Sequence, residues 1–413
     1  MRHVIIGGGP AGVTAAETLR RTDPAAEITL VCGEGEVPYA RMAIPYLLKG
    51  DIDEAGTYIR KDPDHFQRLR LELVHARAQA VDTVNRAVGL GNRRSLPYDR
   101  LLIATGSRPS RERIPGIDLP GVQTCWTLDD ARAILAKARP GARVVQMGAG
   151  FVGCIIMEGL LARGVDLTIL VRSGYMVRRM MNPTASGLIQ RWCEAKGVKI
   201  LTRTQPKGLT VNGGALQVDL GEGRGLPADM YLSVVGVDPN LEFLAGSGIE
   251  IGQGILVDAN LQSSVPGVYA AGDVAEAANS LTGKRELNAI QPNAVEQGRI
   301  AALNMAGRPV RFKGGFVFNV LTTLGLASSS FGEWQGVPGG ESAEVLDEPR
   351  YRYLNVQFDG DRLVGANCVG FSDHVGALRG LIEGRLRLGI WKQRLMNDPA
   401  QIMPAYLSAA SAV

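Results

Sequence analysis

The sequence predicts an α/β chain built from two Rossmann-like units followed by a C-terminal α+β module, and three observations carry that expectation. A glycine loop at Gly7, Gly9 and Gly12 stands between a short apolar run and a helical pattern. The same arrangement returns 141 residues later at Gly148, Gly150 and Gly153. Beyond residue 311 the pattern changes to paired strands, "YRYLNVQFDGDRLVGANCVG", turning at Asp359 and Gly360.

The elements follow in order. Residues 3–6 read as a strand and 13–19 as a helix, with Pro10 and Ala11 completing the loop between them. Gly7 permits the tight turn, Gly9 lets backbone approach a pyrophosphate, and Gly12 lets helix and strand pack closely. The helix N-terminus then offers free N–H groups and a positive dipole end to an anion. "EITLV" is the next strand, and Glu34 just beyond it can accept both hydroxyls of an adenosine ribose.

"YDRLLIATGSRPS" is an apolar strand running into Ala104, Thr105 and Gly106, and the Pro- and Gly-rich "RERIPGIDLPG" after it marks a domain crossing. The second unit repeats strand, loop (with Phe151 and Val152), helix and a strand at 166–171, which ends next to Arg172. "ADMYLSVVGVDPN", containing Gly236, leads back. "GILVDANLQSSVPGVYAAGDV" follows as a buried strand ending at Ala271, Gly272 and Asp273, whose carboxylate can accept a ribitol hydroxyl. "NAIQPNAVEQGRIAALNMAG" reads as a helix with Pro292 and Asn293 near its start, where free N–H groups favour negative charge. A last helix is expected over 374–388.

Composition bounds the function. With 413 residues, 45% hydrophobic and 21% charged, the chain has room for two or three cores. No apolar run is long enough to span a bilayer, and the N-terminus shows no export signal, so a cytoplasmic address is expected. The 36 arginines and nine lysines are scattered, which argues against nucleic-acid binding. The five cysteines, Cys32, Cys125, Cys154, Cys193 and Cys368, lie too far apart for a paired metal or redox motif.

In their order and spacing these motifs resemble the pyridine nucleotide-disulfide oxidoreductase superfamily. "PYARMAIPYLLKG" and "GRLRLGIWKQRLMNDP" are most similar to the branch of nitrite reductase flavin subunits, rubredoxin and ferredoxin reductases and NADH oxidases. The resemblance implies FAD at the first loop, held by Gly7, Gly9, Pro10, Ala11, Gly12, Glu34, Arg41, Ala78, Ala104, Thr105, Gly106, Gly272, Asp273, Pro292 and Asn293. It implies a nicotinamide cofactor at the second, held by Gly148, Gly150, Phe151, Val152, Gly153, Arg172, Ser173, Arg178 and Gly236. It also implies an FAD-binding domain of residues 1–110 and 240–310, an NAD(P)-binding domain of 111–239, and a C-terminal interface domain of 311–413 that makes a homodimer plausible.

Departures from the family pattern shape the chemistry. Where one branch has a reactive cysteine, "RMAIPY" has Met42, and a thioether cannot act as a thiolate. Many relatives pair a lysine near the flavin with a glutamate two residues past the third glycine of the second loop; those positions read Tyr46 and Ile155 here, and Tyr46 becomes the candidate polar group near the flavin. NADH-preferring relatives end the second strand with an acid, whereas a 2′-phosphate suits a guanidinium. Arg172 and Arg178, six residues apart with Ser173 as a hydroxyl donor, match NADPH-using relatives, although Gly153 stands where such sites more often have alanine.

The reading is therefore an FAD-dependent oxidoreductase that takes hydride from NADPH, with NADH as the alternative, and passes electrons to a small redox protein, oxygen or an organic acceptor. Its rival is an FAD protein whose nicotinamide site is vestigial, acting as a regulatory or scaffold partner or oxidising its own organic substrate.

Overall fold

The apolar runs that read as strands are buried on both faces, as parallel strands under helical cover require: Val4 to Ile6 and Leu101 to Ile103 are each at most 3% exposed. The computed structural model describes residues 1–411. It separates into two units, one of Met1–Ile44, Ile52–Arg108 and Val237–Phe316, the other of Pro45–Asp51, Pro109–Gly236 and the chain from Val317 onward. The residues 311–316 thus cluster with the first unit, and the remainder of the C-terminal module with the second.

Each unit is centred on a five-stranded parallel sheet. In the first, Arg2–Ile6 lies between Glu27–Cys32 and Arg100–Ile103, with Leu71–His75 and Val268–Ala270 at the edges. In the second, Arg143–Met147 lies between Asp166–Val171 and Met230–Ser233, with Lys199–Thr202 and Val122–Gln123 at the edges. Both units also carry a three-stranded antiparallel sheet, Ala78–Asp82 to Ser95–Pro97 in the first and Gly208–Asn212 to Arg224–Ala228 in the second. The two halves are built alike.

In each unit the central strand feeds a glycine loop and then a helix, Pro10–Thr22 or Phe151–Ala162. Helix Gln291–Met305 packs on the first of these because Gly298 has no side chain; a Cβ there would sit 2.3 Å from the Ala11 carbonyl oxygen.

From Val317 the chain forms a five-stranded antiparallel sheet in the order Phe318–Thr323, Leu326–Gly332, Arg362–Val369, Arg352–Asp359, Glu341–Asp347. The hairpin turns at Gly360, which takes a left-handed φ of +55°. Asn367, fully buried, accepts from the Asn182 N–H at 2.8 Å and donates to the Met180 carbonyl at 2.9 Å, joining this sheet to the second unit's helix Pro183–Ala195. The helix expected over 374–388 is shorter, Val375–Glu383, closed by Gly384 and a left-handed Arg385 at φ +49°. No helix among the described residues is long and apolar enough to cross a membrane.

Candidate dinucleotide sites

Both glycine loops answer the same steric test. A Cβ on Gly7 would lie 2.1 Å from the Ala104 carbonyl oxygen, and one on Gly12 1.9 Å from that of Gly7. In the second loop the corresponding distances are 2.3 Å from Gly148 to Val234 and 2.4 Å from Gly153 to Gly148. The outer glycines are therefore required by packing. Gly9 and Gly150 differ, because a Cβ on either meets nothing within 4 Å. Their faces are open, and backbone can be approached there by a ligand such as a pyrophosphate.

The helix starts fit an anion as well. Gly9 and Gly150 are the N-caps of their helices, neither gives a side-chain cap, and neither first turn carries an acid. Helix Gln291–Met305 also starts without a side-chain cap or an acid, at Ile290 with Pro292 in its first turn. Helix Leu128–Lys137 shows the contrast: Thr127 and Asp130 close a capping box, and Asp129 and Asp130 crowd its first turn. The uncapped ends keep N–H groups for an external acceptor.

The first unit gathers Glu34, Arg41, Ser107 and Asp273. Glu34 accepts from the Tyr39 hydroxyl and from Arg41 Nη2, both at 2.5 Å. Asp273 accepts from Ser107 Oγ at 2.9 Å. Burial raises its carboxyl above the usual range, while the Ser107 hydrogen bond and the Arg41 charge oppose that shift. Gln297, at 1% exposure, accepts from the Gly272 N–H at 2.8 Å and fixes the loop that presents Asp273. Thr105 donates to the Asn240 carbonyl at 3.2 Å, and Asn240 donates back to the Thr105 carbonyl at 2.9 Å. Asn293 is buried and donates to the Asn288 carbonyl. Ala78, Ala104, Gly106, Pro10 and Ala11 belong to the same unit.

The second unit gathers the other set. Arg172 and Arg178 are exposed on the loop that leaves strand Asp166–Val171, while Ser173 donates its hydroxyl to the Tyr175 carbonyl at 2.8 Å. The Ser173 proton is thus used within the loop rather than held ready as a donor. Gly236 accepts from the Ser110 N–H at 2.9 Å, where the chain leaves the unit. Near it, Glu112 accepts from Tyr231 Oη at 2.6 Å and from Ser233 Oγ. Burial first, then the Glu112 charge, drives the Tyr231 phenol far above its ordinary value, so it stays protonated and donates to Glu112.

Tyr46 falls in the second unit, not among the Glu34 and Asp273 set, and is 56% exposed on helix Ile44–Lys49. A lysine–glutamate pair does join that helix to helix Phe151–Ala162, one turn further along both than Tyr46 and Ile155: Lys49 Nζ lies 3.1 Å from Glu158 Oε1. All five cysteines are buried and unpaired. Burial pushes Cys32 up to about 11 and Cys125, Cys193 and Cys368 to about 12, which leaves them as thiols.

Sequence reasoning missed Tyr39, Ser107, Asn240, Gln297 and Glu112. Apart from Tyr39, their partners lie far along the chain, Ser107 from Asp273 by 166 residues and Glu112 from Ser233 by 121, so no local motif announces them. Tyr39, five residues from Glu34, was within reach of a local reading.

Comparisons with known proteins bear on the family and the fold. Residues 1–298 match the family model described as pyridine nucleotide-disulphide oxidoreductase. Subunit epsilon of an NADH-dependent phenylglyoxylate dehydrogenase from Aromatoleum evansii is 31% identical over 97% of this chain and 96% of its own. A probable ferredoxin reductase from Castellaniella defragrans is 31% identical over 75% of this chain and 76% of its own. Among solved structures, a covalent putidaredoxin reductase–putidaredoxin complex shares the fold at a TM-score of 0.91 and 24% identity, covering 99% of both chains. The chain belongs to the pyridine nucleotide-disulphide oxidoreductase family and is an FAD-dependent NAD(P)H oxidoreductase.

Proposed function

We propose that the first unit holds FAD, that the second holds NADPH in preference to NADH, and that the electrons leave to a small redox protein. The domain assignment goes with it: FAD at the unit of Glu34 and Asp273, the nicotinamide cofactor at the unit of Arg172. With both bound, the cofactors supply hydride transfer and onward electron transfer.

The residues of the chain do the rest. Open backbone at Gly9 and Gly150 receives the two pyrophosphates at uncapped helix starts. The Glu34 carboxylate suits ribose hydroxyls, and Asp273, set by Ser107 and Gln297, suits the ribitol. Buried Gln146 donates to the Gly148 and Gly153 carbonyls at 2.9 and 3.1 Å and holds the second loop in shape. A Cβ on Gly153 would lie 2.4 Å from the Gly148 carbonyl oxygen and 2.9 Å from Gln146 Nε2, so the alanine commoner in NADPH sites does not fit this loop.

The preference for NADPH rests on one observation. Where an adenosine ribose would need an acid, the strand Asp166–Val171 ends at Arg172, and no acid occurs between Asp166 and Glu194. A 2′-phosphate brings nearly two negative charges, which a guanidinium binds bidentately and a carboxylate repels.

The full-length likeness to a dehydrogenase subunit favours one form of the acceptor reading, in which this chain is the nicotinamide-facing subunit of a larger oxidoreductase. Anaerobic titration tests the whole. The purified protein should be yellow, bleach with NADPH, and recolour with an oxidised ferredoxin or rubredoxin. Bleaching by dithionite but by neither nicotinamide cofactor would mean a vestigial site.

A further inference from the structure

We infer that Arg203 is a third guanidinium for the 2′-phosphate, brought to the site by the neighbouring strand. This deepens the NADPH reading and rests on it. Strand Lys199–Thr202 runs parallel to Asp166–Val171, with Val171 opposite Thr202, so Arg172 and Arg203 leave the same C-terminal edge of the sheet from adjacent strands. In open parallel sheets that edge is where ligands bind.

The backbone ties the two together. Arg203 donates its N–H to the Ser173 carbonyl at 3.0 Å, and Thr204 donates to Val171 at 3.0 Å. Arg203 takes a left-handed φ of +51°, uncommon for a residue with a Cβ, and this turns the chain back against the Arg172 loop. Its guanidinium lies over Gly174: a Cβ there would be 3.7 Å from Arg203 Nε and 4.0 Å from Nη2.

Charge gives the second, independent indication. Residues 167–218 contain eight basic residues and a single acid, Glu194. Of the basic ones, Lys199 pairs with Asp166 and Arg191 with Glu348; the other six, Arg172 and Arg203 among them, have no ion-pair partner among the described residues. Unpaired cations leaving one sheet edge on adjacent strands, Arg172 and Arg203, repel one another. A doubly charged anion relieves that repulsion, and an NADH ribose does not.

The experiment uses the full-length FAD-loaded protein and calorimetric titration with 2′,5′-ADP and with 5′-ADP, which lacks the 2′-phosphate. Arg203→Ala should weaken 2′,5′-ADP about tenfold and leave 5′-ADP unchanged, and Arg203→Lys should recover part of the loss. Added salt should weaken 2′,5′-ADP less in the Ala variant than in the parent. Retained flavin and an unchanged melting temperature report that the variant is folded. If Arg203→Ala binds 2′,5′-ADP as the parent does while Arg172→Ala does not, Arg203 has no such role and the NADPH reading stands. If the parent binds both probes equally, that reading falls and this inference with it.

Discussion

The two glycine loops solve the same steric problem with different neighbours. In the first, Gly12 packs against the Ile5 side chain, a Cβ–Cγ2 approach of 3.3 Å for an added methyl. In the second, the equivalent of Ile5 is Gln146, whose amide holds two loop carbonyls and leaves Oε1 buried without a partner. Such an orphan costs about 1–3 kcal/mol, so the second loop accepts a cost that the first avoids. Beyond the following strand the difference is one of charge: Glu34 is held by Tyr39 and Arg41, whereas Arg172 has no ion-pair partner among the described residues. One scaffold thus carries an acid just beyond this strand in one unit and a cation in the other.

Substitutions can break this comparison at several depths. Gly12→Ala forces a methyl against the Gly7 carbonyl, backbone that cannot yield, and flavin retention should fall by about a hundredfold or more. Ile5→Ala should not rescue it. Glu34→Ala removes the Arg41 ion pair and the acceptor proposed for ribose, and should lower FAD affinity about tenfold in a reconstitution titration. Unchanged affinity would remove Glu34 from the site.

Gly153→Ala should weaken NADPH binding by less, roughly fivefold to tenfold, because its carbonyl collision, at 2.4 Å, is less severe than the 1.9 Å one at Gly12. Adding Gln146→Ala should recover part of that loss. If the double variant is worse than the single one, the amide is not what excludes alanine.

The smallest effect lies at the strand starts, where His3 in the first unit stands in the place of Val144 in the second. His3 is 1% exposed with both ring nitrogens unpartnered, and burial lowers it from 6.5 to about 4. The unfolded chain therefore binds the proton first, and stability is intact above about pH 6.5 and declines as pH falls toward 4. His3→Val should raise the melting temperature at pH 5 by roughly 2–4 °C relative to its effect at pH 8. A pH-independent change would show that His3 does not titrate as described.

Much of the fold was legible because its determinants are local. Gly7 to Gly12, Glu34, Gly148 to Gly153 and Arg172 each declare themselves within one strand–loop–helix–strand unit. The partition of the C-terminal chain was not, since it depends on Asn182 meeting Asn367 across 185 residues. The Lys49–Glu158 pair was hidden for a related reason. Position-by-position alignment looks at Tyr46 and Ile155, while the lysine and glutamate that meet on these two helices stand one turn further along.

The most direct test of the account is the ratio of flavin-reduction specificity constants for NADPH and NADH, measured anaerobically in the parent and in Arg172→Glu. The account predicts that the parent favours NADPH and that the variant favours NADH, a combined swing of about a hundredfold or more. A parent that favours NADH, or a variant that keeps the parent's ratio, would contradict it.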